Sequence, residues 1–200
     1  MFGEAGVDAV KKELTQPHEQ GVLAPKELDN EERKAAFQYL MFLKQKRDGT
    51  VKGRGCADGR KQREHTSKEE ASSTTVVIES VLLSCVINAK ENRDVGTVDL
   101  PGSFMQADME GTVQMKLEGK MAKLLVRIDL KLYYKYTRIE KGQQVLYVQL
   151  MKALFGTLTA AFLFWKRSQL VKWGFELNPY NTCVVNKMID GSQCTNLVAC

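Results

Sequence analysis

Hydrophobic positions along this chain repeat with two periods. Residues 6–15 (Gly-Val-Asp-Ala-Val-Lys-Lys-Glu-Leu-Thr) predict a short amphipathic helix, and a loop containing Pro17 and Pro25 follows. Asp29-Asn30-Glu31-Glu32 places acidic groups at the positive end of a helix dipole, and Ala36, Tyr39, Leu40 and Leu43 recur at helical spacing. Together they predict a helix to about Lys46. Asp48-Gly49 is a turn, and residues 50–63, punctuated by glycine, predict an extended hairpin or loop. Between Thr74 and Lys90, Val77, Ile78, Val81, Leu82, Cys85 and Val86 keep a helical period and predict a largely buried helix. Val95 to Leu100 predicts a strand ended by Pro101-Gly102.

Alternation dominates further on. Val113, Met115 and Leu117 predict a half-buried strand over 112–117, and Val145 and Tyr147 against Leu146 and Val148 predict another over 144–150. Residues 120–136 predict one or two short helices. Lys152 to Trp173 reads as a long helix with Gly156 near its start and Gly174 as its stop. Cys183 to Ile189, the turn Asp190-Gly191 and Gln193 to Val198 predict a β-hairpin. This order of elements defines an α+β domain.

Composition narrows the class. With 200 residues, 44% of them hydrophobic and 26% charged, the chain has material for a core, which excludes disorder throughout. The longest uncharged internal run, Ala153 to Trp165, falls short of the ~20 apolar residues of a membrane span. No basic-then-apolar leader opens the sequence, so an intracellular protein (cytoplasm or nucleus), neither secreted nor membrane-bound, is expected. The cysteines are Cys56, Cys85, Cys183, Cys194 and Cys200. Their odd count, irregular spacing and lack of nearby histidine point to reduced thiols, not to a disulfide framework or a zinc site.

The net charge of +5 is concentrated. Residues 44–68 hold nine basic and three acidic side chains, while the flanks nearly cancel. Such a segment attracts polyanions, nucleic acid above all, although a solvated loop can carry the same charge. Downstream, the strand ending at Asp99 is followed by Phe104. A carboxylate at a strand end can hold a hard cation, and nucleotidyl transfer commonly uses two such ions roughly 3.5–4 Å apart. Taken alone, an aspartate there is more often just a turn residue.

The order of motifs makes the reading specific. Lys52-Gly-Arg54-Gly-Cys-Ala-Asp-Gly59-Arg-Lys-Gln62 resembles the basic fingers segment Lys-x-Arg-x-x-Ala-x-Gly-x-x-Gln of the reverse transcriptase of copia-type retrotransposons. Glu69-Glu-Ala-Ser-Ser resembles that family's Glu-Glu-x-x-Ser stretch, and Val98-Asp99-Leu-x-x-x-Phe104 its first catalytic motif. Gly111-Thr-Val-Gln-Met115 is similar to the next strand. Lys152-Ala-Leu-Phe-Gly156-x-x-x-Ala160, with Phe164-Trp165, is similar to Lys-Ala-Leu-Tyr-Gly-Leu-Lys-Gln-Ala-Pro-Arg-x-Trp, and Trp173-Gly-Phe175-x-x-x-Pro179-x-x-x-Cys183 to the segment after it. The resemblance spans about residues 40–198, with residues 1–40 as an upstream linker and first helix.

This resemblance implies a right-hand polymerase, fingers plus partial palm over 41–200, with an antiparallel sheet and flanking helices. It implies Asp99 as the catalytic, metal-binding carboxylate for Mg²⁺ (or Mn²⁺). Phe104 would lie under the sugar of an incoming dNTP and reject a 2′-hydroxyl. Lys52 and Arg54 would contact the triphosphate or template backbone, Gly156 would let the backbone approach the nucleotide, and Arg60, Lys61 and Arg63 would bind the RNA/DNA template-primer.

The chain departs from the family pattern at Thr159, Ala161 and Asn196, and Cys200 falls about where the family's paired aspartates begin. The expectation is therefore a fragment inactive by itself, without templated primer extension. The alternative is a non-catalytic nucleic-acid-binding remnant using residues 44–68. A third reading is an unrelated α+β protein in which Asp99 faces solvent with no hairpin beside it.

Overall fold

The computed structural model describes residues 2–60, 76–97, 101–161, 163 and 169–197. Its elements in chain order are α1 (Gly3–Glu19), β1 (Leu23–Pro25), α2 (Asn30–Ala35), β2 (Phe37–Gln45), β3 (Val51–Ala57), α3 (Ile78–Glu91), β4 (Gln114–Glu118), α4 (Lys120–Ile128), α5 (Leu130–Tyr133), β5 (Thr137–Glu140), β6 (Gln143–Leu150), α6 (Gln169–Lys172), β7 (Glu176–Leu177), β8 (Val184–Ile189) and β9 (Ser192–Leu197). A mixed α+β architecture results.

The main sheet has the order β1-β6-β4-β2-β3, with β5 also paired to β6. All its pairs are antiparallel except β2 with β4, which run parallel through Phe37↔Met115 and Gln38↔Lys116. The alternation in β6 sorts its side chains as the sequence predicts. Leu146, Val148 and Leu150 join Met115, Leu117, Leu14, Leu125 and Tyr133 in the large core beneath α1, α4 and α5. Val145 and Tyr147 pack with Leu28 and Ala36 on the opposite face.

On that opposite face, Lys116 pairs with Glu118 and with Glu140 at 3.0 Å. Burial works against the Lys116 ammonium, but hydrogen bonds to the two carboxylates outweigh it and hold its pKa above the ordinary lysine value.

Helix α2 starts as the acidic cluster predicts. Asp29 Oδ1 accepts from the Glu31 and Glu32 N–H groups, and Glu32 Oε2 accepts from the Asp29 N–H, closing a capping box. Asp29→Ala is expected to cost about 1 kcal/mol, read as a lower urea midpoint at unchanged m-value.

The predicted helix to Lys46 stops at Ala35, and Phe37–Gln45 is a strand. Phe37, Tyr39, Met41 and Leu43 have a period of two as good as the helical one, and all four face the large core. Pairing along β3 from Tyr39↔Ala57 to Gln45↔Val51 decides in favour of the strand. Helix α3 forms where predicted but has no buried residue, with Ile78, Leu82, Leu83 and Val86 exposed. Its apolar side chains occupy several faces, and one contact with the rest of the chain, such as Asn181 Nδ2 to Ser80 Oγ at 2.9 Å, cannot cover them all.

Residues 95–97 form no strand, and 98–100 lie outside the described residues. The expected long helix from Lys152 does not begin there. Lys152 bridges Asp108, the Ala153 N–H donates to the Ala107 carbonyl at 2.8 Å, and Gly156 takes φ +94°. These ties hold the chain extended and then turned, and helical residues resume at 160. The terminal hairpin forms as predicted, with Asp190 and Gly191 at φ 49° and 80°. It pairs with β7 in a separate three-stranded sheet. Cys56, Cys85, Cys183 and Cys194 are free thiols.

Candidate functional site

Among the described residues strand β3 is the edge of the main sheet, and its alternating Lys52-Gly53-Arg54-Gly55 sequence shapes that edge. A side chain at 55 would have its Cβ within 1.7 Å of the Tyr39 hydroxyl, and one at 53 within 2.9 Å of the Ala9 carbonyl oxygen. Glycine at both positions lets α1 and Tyr39 close against the strand while the intervening cations stay exposed. The Gly55 N–H donates to Glu13 Oε1 of α1 at 2.8 Å, and the Ala57 N–H donates to the Phe155 carbonyl at 2.8 Å.

These contacts frame a cavity of about 370 Å³ between α1, β3, the 101–105 turn and residues 154–155. Lys52, Arg54, Phe104 and Phe155 line it, joined by Glu13 and Gln16 of α1. The Arg54 guanidinium carbon lies 5.0 Å from the Phe155 ring centroid, within cation–π range. Phe104 and Phe155 lie 5.7 Å apart at 41°. Gly156, next to Phe155, sits so close to β3 that a Cβ there would approach the Ala57 carbonyl oxygen to 2.2 Å. Such a cavity, with two cations beside two rings, can take a phosphate-bearing planar group.

Burial, then the Glu13 charge, pushes the Tyr39 phenol above its ordinary pKa. Burial and the Asp58 charge likewise raise the Cys56 thiol, which keeps it protonated and unsuited as a nucleophile.

The structure thus gathers Lys52, Arg54, Phe104 and Phe155, residues from three separate segments, at one place, while Gly156 packs against Ala57 beside it. Arg60 is elsewhere: its guanidinium is held by Asp58, with Nε to Oδ1 at 2.8 Å, and does not line the cavity. Asp99, Lys61 and Arg63 lie outside the described residues, as do Phe164 and Trp165. Among the described residues no cluster of His, Cys, Asp and Glu could hold a metal ion, and the acid lining the cavity, Glu13, is bound to the Gly55 N–H. Sequence patterns gave no role to Glu13, Gln16 or Phe155. Phe155 stands inside a recognised motif, but the two α1 residues carry no local signal, because the Glu13–Gly55 contact spans 42 residues.

Comparison of the chain with family models, with curated proteins and with solved structures returns no match. Among the described residues no helix is long and apolar enough to cross a membrane.

Proposed function

We propose that this chain is the fingers and partial palm of a copia-type RNA-directed DNA polymerase, and that the cavity beside β3 takes a deoxynucleoside triphosphate. The observation that supports this reading is the meeting of Lys52, Arg54 and Phe104, drawn from two separate motifs, around one cavity, with Gly156 next to the lining residue Phe155. In this reading Lys52 and Arg54 neutralise phosphate charge, and Phe104 bounds the sugar. Asp99 would hold Mg²⁺ or Mn²⁺, which would supply charge neutralisation at the transferring phosphoryl group.

The test is calorimetric titration of the full chain with dGTP and GTP. Lys52→Ala/Arg54→Ala is expected to weaken dGTP binding at least about 10-fold. Phe104→Ala is expected to narrow the preference for dGTP over GTP. Equal dGTP affinity in the wild type and the double variant would sink the reading.

Binding without chemistry is favoured by one further observation. Lys44, Lys46 and Arg47 at the β2–β3 hairpin tip are exposed and have no ion pair among the described residues. A non-catalytic remnant would bind RNA or DNA with strong salt dependence and no metal dependence.

A further inference from the structure

A second cationic surface lies outside the 44–68 segment, where the charge balance of the whole sequence hides it. Helix α4 directs Ala122, Leu125 and Val126 into the core, while Lys120, Lys123 and Arg127 are exposed. Their i, i+3, i+7 spacing puts the three cations on one helix face. After the break at Asp129, Lys131 in α5 and Lys135 in the turn after it are also exposed, as is Tyr134 at 64%.

Two acids of this region are tied to Lys116, and a third, Asp129, sits between Arg127 and Lys131 as the N-cap of α5. Glu118 and Glu140 bind Lys116, and Asp129 Oδ1 accepts from the Leu132 N–H. Among the described residues no carboxylate lies within ion-pair distance of Lys120, Lys123, Arg127, Lys131 or Lys135. The core contacts of α4 hold the charges in fixed relative positions, which a solvated loop would not do.

We infer that the exposed α4–α5 face is a docking surface for a nucleic-acid backbone, separate from the cavity beside β3. Lys120 to Arg127 spans about 10 Å of helix, long enough to reach successive phosphates of one strand. Tyr134 offers a ring on which an unpaired base can stack. A membrane-surface helix needs an apolar face turned toward the acyl chains, and the apolar face of α4 is turned into the core instead. The exposed face therefore offers positive charge, which suits a polyanion.

The inference stands on residues that the nucleotide-cavity reading does not use. Fluorescence anisotropy of the full chain with a labelled single-stranded DNA of ~30 nucleotides tests it across a salt series. Replacing Lys120, Lys123, Arg127 and Lys131 together by alanine is expected to reduce the slope of log affinity against log salt by about 3, at about 0.7 per lost phosphate contact. The thermal melt should be unchanged, since all four side chains are exposed. Exchanging each lysine for arginine and Arg127 for lysine should retain the wild-type slope. An unchanged slope in the alanine variant overturns the inference, whatever Lys52→Ala/Arg54→Ala does. So does charge-dependent binding to phosphatidylserine-containing vesicles by a chain that leaves the oligonucleotide free.

Discussion

Gly156→Ala is expected to lower stability by about 4 kcal/mol. Two costs combine. The residue has φ +94°, a conformation that side chains rarely adopt, and its new Cβ would meet the Ala57 carbonyl oxygen at 2.2 Å and the Ala57 nitrogen at 3.1 Å. The obstacle is backbone, so no rotamer change relieves it. Ala57 is tied to Phe155 by its own N–H, and relief requires moving the end of β3 away from the 154–157 turn. For a chain of this size, a loss of that order lowers the melting temperature by about 8–16 °C. Gly96→Ala is the matched control, with nothing within 4 Å of its Cβ, and it should melt within about 2 °C of the wild type. Thermal melts by circular dichroism read both. A Gly156→Ala variant that melts with the control would mean that the 154–157 turn does not approach β3 as described.

Tyr133→Ala comes second, at about 3–5 kcal/mol. The ring is fully buried where α5 meets α1, and its hydroxyl lies 2.9 Å from His18 Nδ1. Burial, with the Asp129 charge adding to it, pushes the phenol up to about 12, so it stays neutral at working pH. Truncation removes the aromatic from a closed core and deprives His18 of its partner together. Tyr133→Phe separates the two losses. It keeps the packing and should cost only about 1 kcal/mol. Urea midpoints at constant m-value distinguish the cases, and equal midpoints for the two variants would show that the hydrogen bond, not the packing, carries the stability.

The elements legible in the sequence are those where one period excludes the other. The alternation of Met115 and Leu117, and of Leu146, Val148 and Leu150, cannot satisfy a helix face, and Asp190-Gly191 supplies the left-handed pair that a tight hairpin needs. Phe37 to Leu43 misleads because Tyr39 and Leu43 fit both periods. Strand pairing with β3, a tertiary fact, settles that segment. Helix α3 shows the same limit for burial: periodicity announces a helix but not what lies against it.

Around the cavity, motif register singled out Lys52, Arg54 and Phe104, whereas Glu13 and Gln16 enter only because Gly53 and Gly55 admit α1 to the strand. The second basic face escaped regional charge totals for a physical reason. Summed over residues 69–200 its cations are cancelled by acids that fold elsewhere or bind Lys116.

An edge strand ordinarily offers its outward N–H groups to any strand that drifts past, and fibres and swapped dimers begin that way. In β3 two of those donors are already taken. Gly55 gives its hydrogen to the Glu13 carboxylate and Ala57 to the Phe155 carbonyl. The contacts that frame the cavity therefore also cover the C-terminal end of this border of the sheet. A fold that loosened α1 would expose a sticky edge at the moment it opened the pocket.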